Sequence, residues 1–261
     1  MYKRQLGLFA VAIGLLIAFV AIESRASQPL LPLRLFRSGT VTGANVVGFL
    51  IGASIFSMFF FLSLYMQEVL GYSPLRTGFA YLLVAVTIII SAGASQVLVT
   101  RFGPRSVLAT GMALLTLGLL WFTQVSVGGS YLVDLVPGFV LTGVGLGFSF
   151  VPDTIAALAG VRERDAGVAS GLINTSQQIG GALGVAALVT VATTTTSDHL
   201  ADAGIRAHQP LVQLSAATDG FQAAFLWAAV MAGIGIIATL VLVRPPAADA
   251  VAAREPALTT E

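Results

Sequence analysis

The sequence of 261 residues contains no cysteine, only two histidines and very little charge. Without cysteine the chain can form neither disulfides nor thiolate metal sites, and it has no cysteine nucleophile. The 13 basic residues nearly balance the 12 acidic ones, and the basic residues form no cluster of the kind that binds nucleic acid. We therefore expect no metal, no cofactor and no nucleic-acid partner.

Apolar residues dominate what is present. They make up 56% of the chain, whereas charged residues make up 10%, against roughly 25% in an ordinary soluble domain. A helix needs roughly 20 apolar residues to cross a bilayer core about 30 Å thick, because lipid offers no partner for unpaired backbone groups. Seven stretches meet this requirement. We expect an all-α integral membrane fold with seven transmembrane helices at residues 6–22, 41–66, 77–99, 106–125, 132–158, 166–191 and 221–243.

The arginines between these spans predict the orientation of the chain. Cytoplasmic loops retain Lys and Arg, and the seven spans place nine arginines on one side of the membrane and two on the other. The nine are Arg25, Arg34, Arg37, Arg101, Arg105, Arg162, Arg164, Arg244 and Arg254, and the two are Arg76 and Arg206. This pattern predicts a cytoplasmic carboxy terminus, where residues 244–261, rich in Ala and Pro, should form a disordered tail.

The first five residues break this pattern, because Lys3 and Arg4 would lie on the outside. Met1-Tyr-Lys-Arg-Gln5 is the translation of GTG-TAT-AAG-AGA-CAG, a string that resembles the transposon end used to prepare sequencing libraries. Residues 1–5 are therefore predicted to be an adapter artefact, with a natural short basic terminus as the alternative. A cleaved signal peptide fits less well, because Glu23-Ser24-Arg25 follows the apolar run in place of a small-residue cleavage site.

Asp153 is the acid that lies well inside a predicted span, directly after Pro152. An ionised carboxylate is costly in hydrocarbon, so this residue should face a cavity, find a partner or carry a proton. It is our candidate proton or cation contact, and Thr142, Gly145 and Ser149 precede it at helical spacing as a small, polar stripe. The alternative is that Asp153 bonds the backbone freed by Pro152, or reaches interfacial water.

Amides and glycines mark the sixth predicted span. One helical face carries Ser170, Asn174, Gln177, Gln178, Gly181 and Gly184. Buried amides need partners inside a membrane protein, so this face should look into the bundle, where the amides either contact substrate or join helices at about 1 kcal/mol each. Small residues permit close helix packing, which is the role expected for Gly143, Gly147, Gly180 and Gly184. The Gly143-Val-Gly-Leu-Gly147 run lacks the strand and lysine of a phosphate-binding loop.

Aromatic residues crowd the second predicted span, which contains Phe56, Phe59, Phe60, Phe61 and Tyr65. Packing in the core or against lipid explains such rings, and some of them could form a drug-binding wall. His199 and His208 fall in the predicted outer loop without a companion acid, serine or ligand at useful spacing. We expect both histidines to be solvated.

Three further segments carry a family resemblance. They are Pro29-Leu-Leu-Pro-Leu-Arg-Leu-Phe-Arg37, Arg101-Phe-Gly-Pro-Arg105 and Ala166-Gly-Val-Ala-Ser-Gly-Leu-Ile-Asn-Thr-Ser-Gln-Gln-Ile-Gly-Gly-Ala-Leu-Gly184. Over residues 6–243 the chain resembles the fourteen-helix drug:proton antiporter branch of the major facilitator superfamily. The resemblance implies a linker helix and cytoplasmic loop over residues 6–40, then a carboxy-terminal six-helix bundle over residues 41–243, built as two inverted three-helix repeats. Seven upstream helices, including an amino-terminal bundle with the family's main proton-coupling acids, would be missing.

The resemblance also implies a gating loop between the third and fourth spans. Arg101, Gly103 and Arg105 match the family pattern, whereas Thr100 replaces its acid and Gln96 replaces its leading glycine. The lost acid would have paired with neighbouring helix ends. The alternative is a tight Gly-Pro turn with two arginines at the lipid headgroups.

The function implied by the resemblance is secondary active transport. It would be proton-coupled efflux of drugs or organic cations by alternating access, in the plasma membrane of a bacterium. The partners would be the lipid bilayer, a small-molecule substrate, protons and the missing amino-terminal bundle. The chain is not expected to be an enzyme, because a single buried acid makes a poor catalytic set. The alternative is a non-transporting degenerate half-transporter or membrane scaffold.

Overall fold

The computed structural model describes residues 2–25 and 33–243, which are helical apart from turns and short connections. The six α-helices are α1 (Tyr2–Glu23), α2 (Gly39–Leu64), α3 (Pro74–Trp121), α4 (Val136–Leu158), α5 (Ala166–Ala203) and α6 (Pro210–Leu242). Shorter helical turns occur at Leu33–Arg37, Tyr65–Val69, Phe122–Gln124, Tyr131–Leu135, Glu163–Asp165 and Gly204–His208. Met1, residues 26–32 and the predicted tail at residues 244–261 lie outside the described part.

Five helical stretches in the described residues are long and apolar enough to cross a membrane, against seven predicted spans. They are Gly39–Val69, Pro74–Gln124, Tyr131–Leu158, Glu163–His208 and Pro210–Leu242. The predicted first span falls in α1, whose described apolar stretch, Val11–Glu23, is shorter than these five. The predicted third and fourth spans form the single long helix α3. The prediction of an all-helical, multi-pass membrane fold is confirmed, and the count of seven is not.

The long helix α3 is bent back on itself at Gly103. This residue has φ 77° and ψ 159°, a left-handed, non-helical conformation that glycine adopts without steric cost. Pro104 follows and has no backbone N–H to continue the hydrogen-bond ladder. Both segments of α3 then pack on the same part of α4, because Thr142 contacts Gly118 in the second segment while Gly143 meets Thr87 in the first. The predicted loop at residues 101–105 is therefore a sharp bend within a helix.

Two sets of helices pack in a reciprocal arrangement. Helix α2 lies between α5 and α6, with Gly52 against the backbone of Gln177 and Gly43 against Leu242. Helix α4 lies in the same way between the two segments of α3. The predicted three-helix repeats, called triplets below, are α2 with the two segments of α3, and α4 with α5 and α6. The first helix of each triplet thus packs on the second and third helices of the other.

The ends of the bundle differ in chemistry. One end carries Arg34, Arg105 and Arg162 and is called the arginine end below. At the opposite end, side chains bind the backbone of the connection between α3 and α4: the Tyr65 hydroxyl donates to Ser126 O at 2.8 Å, and the Gln222 amide donates to Val125 O at 2.7 Å. Between the ends, buried rings form an aromatic core that includes Phe61, Phe122, Phe139 and Phe225.

The predicted outer loop after residue 191 is wrong, because α5 continues to Ala203 and α6 already begins at Pro210. Helix α6 supports the extension through close packing of Gly220 on Thr196. A second contact joins His199 Nδ1 to Asp219 Oδ2 at 2.5 Å. His199 therefore has the acidic partner that its sequence neighbours did not reveal, whereas His208 lies in the turn between the two helices.

Candidate functional site

Asp153 lies at the meeting point of α2, α4 and α5. Its side chain is 0% exposed, and neither carboxylate oxygen has a hydrogen-bond partner among the described residues. Gln177 of α5 approaches the carboxyl group closely enough to interact with it, but the pair does not meet hydrogen-bond geometry. An unpaired acid in the interior of a membrane protein is costly in its charged form. The arrangement is therefore suited to a carboxyl group that takes up and releases a proton.

Helix α2 approaches Asp153 through a glycine. A Cβ built on Gly48 would lie 3.2 Å from Oδ2 of Asp153 and 3.2 Å from Cγ1 of Ile173. One turn away on α2, Asn45 is 7% exposed and accepts a hydrogen bond from the Ser176 hydroxyl at 2.8 Å. The Asn45 amide also donates to Val41 O at 2.8 Å. These contacts fix the register of α2 against α5 beside the buried acid.

An amphipathic cleft of about 320 Å³ lies beside this buried acid. Its polar side consists of three amides of α5, Asn174, Gln177 and Gln178. Its apolar side is formed by Gly52, Ile55, Phe56, Phe59 and Phe150. Gln177 therefore belongs both to the cleft and to the surroundings of Asp153. The structure brings together the predicted acid, all three predicted amides and two of the five aromatic residues named in the second predicted span.

The sequence predicted that the amides of α5 face the interior of the bundle, but not all three of them do. Gln177 is half-buried, but Asn174 and Gln178 are exposed on the surface of the described chain. The helical repeat correctly placed them on one face, but the cleft opens at the edge of the bundle. Exposed amides are poor neighbours for lipid, because hydrocarbon offers them no hydrogen bonds. This face is therefore suited to contact with protein or water.

The predicted polar stripe on α4 does not lead into the cleft. Thr142 and Ser149 are fully buried, and their hydroxyls donate to carbonyls of their own helix, Gly138 O at 2.8 Å and Gly145 O at 2.7 Å. Ser149 also lies against Gly111 in the second segment of α3. Both hydroxyls are satisfied locally, so that only Asp153 remains as an unpaired polar group in the stripe.

Close backbone approaches surround the glycines for which packing was predicted. A Cβ built on Gly143 would lie 2.8 Å from Thr87 Cβ, and one on Gly147 would lie 2.7 Å from Ala92 N. On α5, Gly180 meets Phe49 O, and a Cβ on Gly184 would lie 2.7 Å from Ala53 Cα. Any side chain at these positions would force the helices apart.

The two arginines at the Gly103 bend have different surroundings. Arg101 is exposed and makes no hydrogen bond or ion pair with a described residue. The Arg105 guanidinium donates to Leu240 O in the last turn of α6. Carbonyls at a helix carboxy terminus have no intrahelical donors and carry partial negative charge, which favours a cation there. Arg105 thus binds a helix end although the acid of the family pattern is absent.

Two polar contacts near the site were not predicted. Asn45 is an amide within a predicted span and could have been found by the argument used for Asn174. Asp165 is 7% exposed and accepts from Arg34 at 2.9 Å and from Arg162 at 3.2 Å. Arg34 precedes α2 and Asp165 precedes α5, so this ion pair joins the starts of the two helices that enclose the cleft.

The sequence profile described as the Major Facilitator Superfamily matches residues 5–185 of this chain. A puromycin resistance protein of Streptomyces alboniger is 35% identical over 231 residues, which cover 85% of this chain and 44% of that protein. A tetracenomycin C resistance and export protein of Streptomyces glaucescens is 34% identical over 209 residues, 80% of this chain and 39% of that protein. A cephamycin export protein of Amycolatopsis lactamdurans is 38% identical over 189 residues, 72% and 39% of the two chains.

The three relatives are much longer than the part that matches this chain. The chain spans less than half the length of each of the three proteins. The names of all three refer to resistance against an antibiotic or to its export. The similarity is consistent with the drug:proton antiporter branch and with a chain that corresponds to part of such a protein.

Proposed function

This chain belongs to the Major Facilitator Superfamily, and on that premise we propose that it is the carboxy-terminal half of a secondary active exporter. The exporter moves amphipathic organic compounds out of a bacterial cell in exchange for protons. It works by alternating access, in which two helix bundles rock about a site near the middle of the membrane. The reaction is translocation, so the protein is not an enzyme.

The observation that carries this proposal is the unpaired carboxyl group of Asp153 next to the cleft. Gln177 lines the cleft and also approaches the acid. A substrate that moves Gln177 therefore changes the polarity around Asp153 and with it the free energy of protonation. This coupling gives a physical link between the binding of substrate and the release of a proton.

The cleft also indicates the class of substrate. Phe56, Phe59 and Phe150 offer aromatic and apolar contacts, whereas Asn174 and Gln178 offer hydrogen bonds. Such a lining suits a compound with a flat apolar body and a few polar groups. The three relatives are named for resistance to antibiotics or for their export, and the proposed substrate of this chain is likewise a small organic compound.

The proposed architecture has seven membrane crossings. The two segments of α3 cross separately, because a helix of 48 residues would be about 72 Å long, more than twice the thickness of a bilayer core. With α2, α4, α5 and α6 they form a six-helix bundle of two inverted triplets, a proposal supported by the reciprocal packing of α2 and α4. Helix α1 is the linker helix, and its described apolar side chains, such as Ile13, Leu15 and Ile22, are exposed.

The proposed partner is an amino-terminal helix bundle that covers the exposed amides of α5. The chain spans 44% of the puromycin resistance protein, which leaves room in such a relative for a second bundle. The arginine end faces the cytoplasm, in agreement with the excess of arginine over the other side. The cleft between Asn174 and Phe56 would then open toward the central pathway between the two bundles.

The test is transport by the protein expressed together with this amino-terminal bundle. We expect it to lower the accumulation of ethidium in a bacterial strain that lacks its own exporters. The variant Gln177→Leu should reduce efflux by about tenfold or more, because it removes the polar group shared by the cleft and Asp153. The variant Thr175→Val is a matched control, since Thr175 is exposed on the same helix and its hydroxyl is bound to Gly171 O.

Three results would decide the outcome. Efflux that is reduced in Gln177→Leu and retained in Thr175→Val supports the proposed site. Equal efflux in both variants contradicts the assignment of the cleft. Accumulation that does not depend on the wild-type protein, for ethidium and for antibiotics of the classes named for the relatives, favours the non-transporting scaffold.

A further inference from the structure

A second cleft, of about 340 Å³, lies nearer the other end of the bundle, where α2, α5 and α6 diverge. Three phenylalanine rings, those of Phe60, Phe61 and Phe221, form much of its wall. The centroid of the Phe61 ring lies 5.2 Å from that of Phe60 and 6.1 Å from that of Phe221. Of these contacting rings, Phe60 is 40% exposed, whereas Phe61 and Phe221 are buried. We call the cleft that they line the outer cleft.

A carboxylate stands at the mouth of the outer cleft. Glu68 lines the cleft, is exposed, and makes no ion pair or hydrogen bond with any residue that the structure describes. Neither of the two described arginines at this end pairs with Glu68. Arg76 stacks on the Tyr72 ring at 3.8 Å, and Arg206 lines a different pocket with Asp198 and Asp202. The negative charge of Glu68 is therefore available to a ligand.

The outer cleft is separate from the cleft beside Asp153. Phe61 follows Gly52, which lines the first cleft, by nine residues, which corresponds to roughly 14 Å along α2. The two clefts share no lining residue. Phe56 of the first cleft and Phe60 of the second are nonetheless one helical turn apart on α2. A ligand that leaves the first cleft toward the end opposite the arginines would meet the outer cleft next.

We infer that the outer cleft is a second binding site for an amphipathic organic cation, held by the Glu68 carboxylate and the Phe60, Phe61 and Phe221 rings. This inference rests on the proposed export function and adds a substrate site near the exit. A cation gains attraction both from an unpaired carboxylate and from the faces of aromatic rings. A neutral compound of the same size gains only the apolar contact, so the site discriminates by charge.

The test uses the full chain in lipid nanodiscs and two fluorescent probes, cationic ethidium and neutral N-phenyl-1-naphthylamine. We expect Glu68→Gln to weaken ethidium binding by about fivefold at low ionic strength, the effect of one charge pair at a partly exposed site. Binding of the neutral probe should not change. Phe60→Leu, at a ring that is 40% exposed and can be replaced without opening the core, should weaken the binding of both probes.

The matched control for charge is Asp202→Asn, which removes an exposed acid at the same end of the bundle but outside the outer cleft. It should leave both probes unaffected. Equal ethidium affinities in Glu68→Gln and Asp202→Asn would overturn the inference. A response to Phe60→Leu by the neutral probe alone would indicate an apolar occupant such as a lipid chain, and would also overturn it.

The result separates this inference from the proposed function. If Gln177→Leu weakens ethidium binding whereas Glu68→Gln does not, the substrate role of the first cleft stands and the outer site falls. If the wild-type chain binds no ethidium in a saturable manner, the outer site falls, and the proposed function is decided separately by the transport test with the amino-terminal bundle.

Discussion

Gly48 of α2 lies against the carboxyl group of Asp153 on α4, where a methyl group would fit only tightly. A Cβ at Gly48 would lie 3.2 Å from Oδ2 of the acid and 3.5 Å from Cγ of Gln177. The position of one glycine thus determines how closely α2 approaches the buried acid and the cleft.

The first prediction concerns Gly48 itself. Gly48→Val adds a branched side chain that would occupy space where Asp153 and Ile173 now lie. We expect ethidium efflux to fall by about tenfold or more, because the acid and Gln177 are displaced. Gly48→Ala, whose contact is tight but not impossible, should have a smaller effect. Transport in vesicles measures both. The control is Gly93→Ala, at a glycine of α3 whose Cβ would meet no atom within 4 Å. Normal efflux in Gly48→Val would show that α2 does not constrain the acid.

The second prediction concerns the packing of α2 on α5. Gly180→Ala would press a methyl group against the carbonyl of Phe49, and overpacking of this kind costs about 1–3 kcal/mol of unfolding free energy. Unfolding of the purified chain in mixed detergent micelles measures this loss. Gly171→Ala on the same helix, where a Cβ meets nothing within 4 Å, should not destabilise the chain. If Gly180→Ala and Gly171→Ala change the unfolding free energy equally, α2 and α5 are not in tight contact at Gly180.

The third prediction concerns Arg105. Its contact with Leu240 O should hold the last turn of α6 against the bend at Gly103. Arg105→Ala is expected to raise the rate of backbone hydrogen exchange in residues 238–243, because the helix end loses its partner. Arg101→Ala removes an exposed arginine without a described partner and should leave that exchange rate unchanged. Equal exchange rates in the two variants would contradict the role of Arg105 in holding the end of α6.

The fourth prediction concerns the ion pair of Arg34 with Asp165. A double-mutant cycle with Arg34→Gln and Asp165→Asn should give a coupling free energy of about 0.5–1 kcal/mol, a modest value because the Arg34 side chain is half-exposed. The same cycle with Arg164→Gln, whose nitrogen lies 4.0 Å from Asp165, should give a smaller coupling. A coupling of zero for Arg34 would mean that the start of α2 is not tied to the start of α5.

The hydrophobic spans could be predicted because apolar length reports directly on the thickness of a bilayer. The same signal failed after residue 191. Hydropathy measures contact with lipid and not helix formation, so it predicts a loop where the polar part of α5 extends to Ala203. The tight Gly-Pro turn given as the alternative to a gating loop agrees with the bend at Gly103. The sequence did not show that a single residue, Gly103, makes the turn.

The candidate site was only partly predictable. Helical periodicity placed Asn174, Gln177 and Gln178 on one face, but it could not say which neighbour that face would meet. The partners of Asn45 and Asp165 are Ser176 and Arg34, each 131 residues away. Contacts at such separations depend on how the helices pack, and no local pattern encodes them. The pairing of His199 with Asp219 was missed for the same reason, because it depends on α5 lying beside α6.

The most direct test of the central claim compares two modes of transport in vesicles that contain the protein with its proposed amino-terminal bundle. Asp153→Asn should lose uphill ethidium transport driven by a pH gradient, because an amide cannot exchange a proton. It should retain ethidium counterflow, which needs the substrate cleft but no net movement of protons. This split would support Asp153 as a proton carrier. Transport driven by the pH gradient at the wild-type rate in Asp153→Asn would contradict that role.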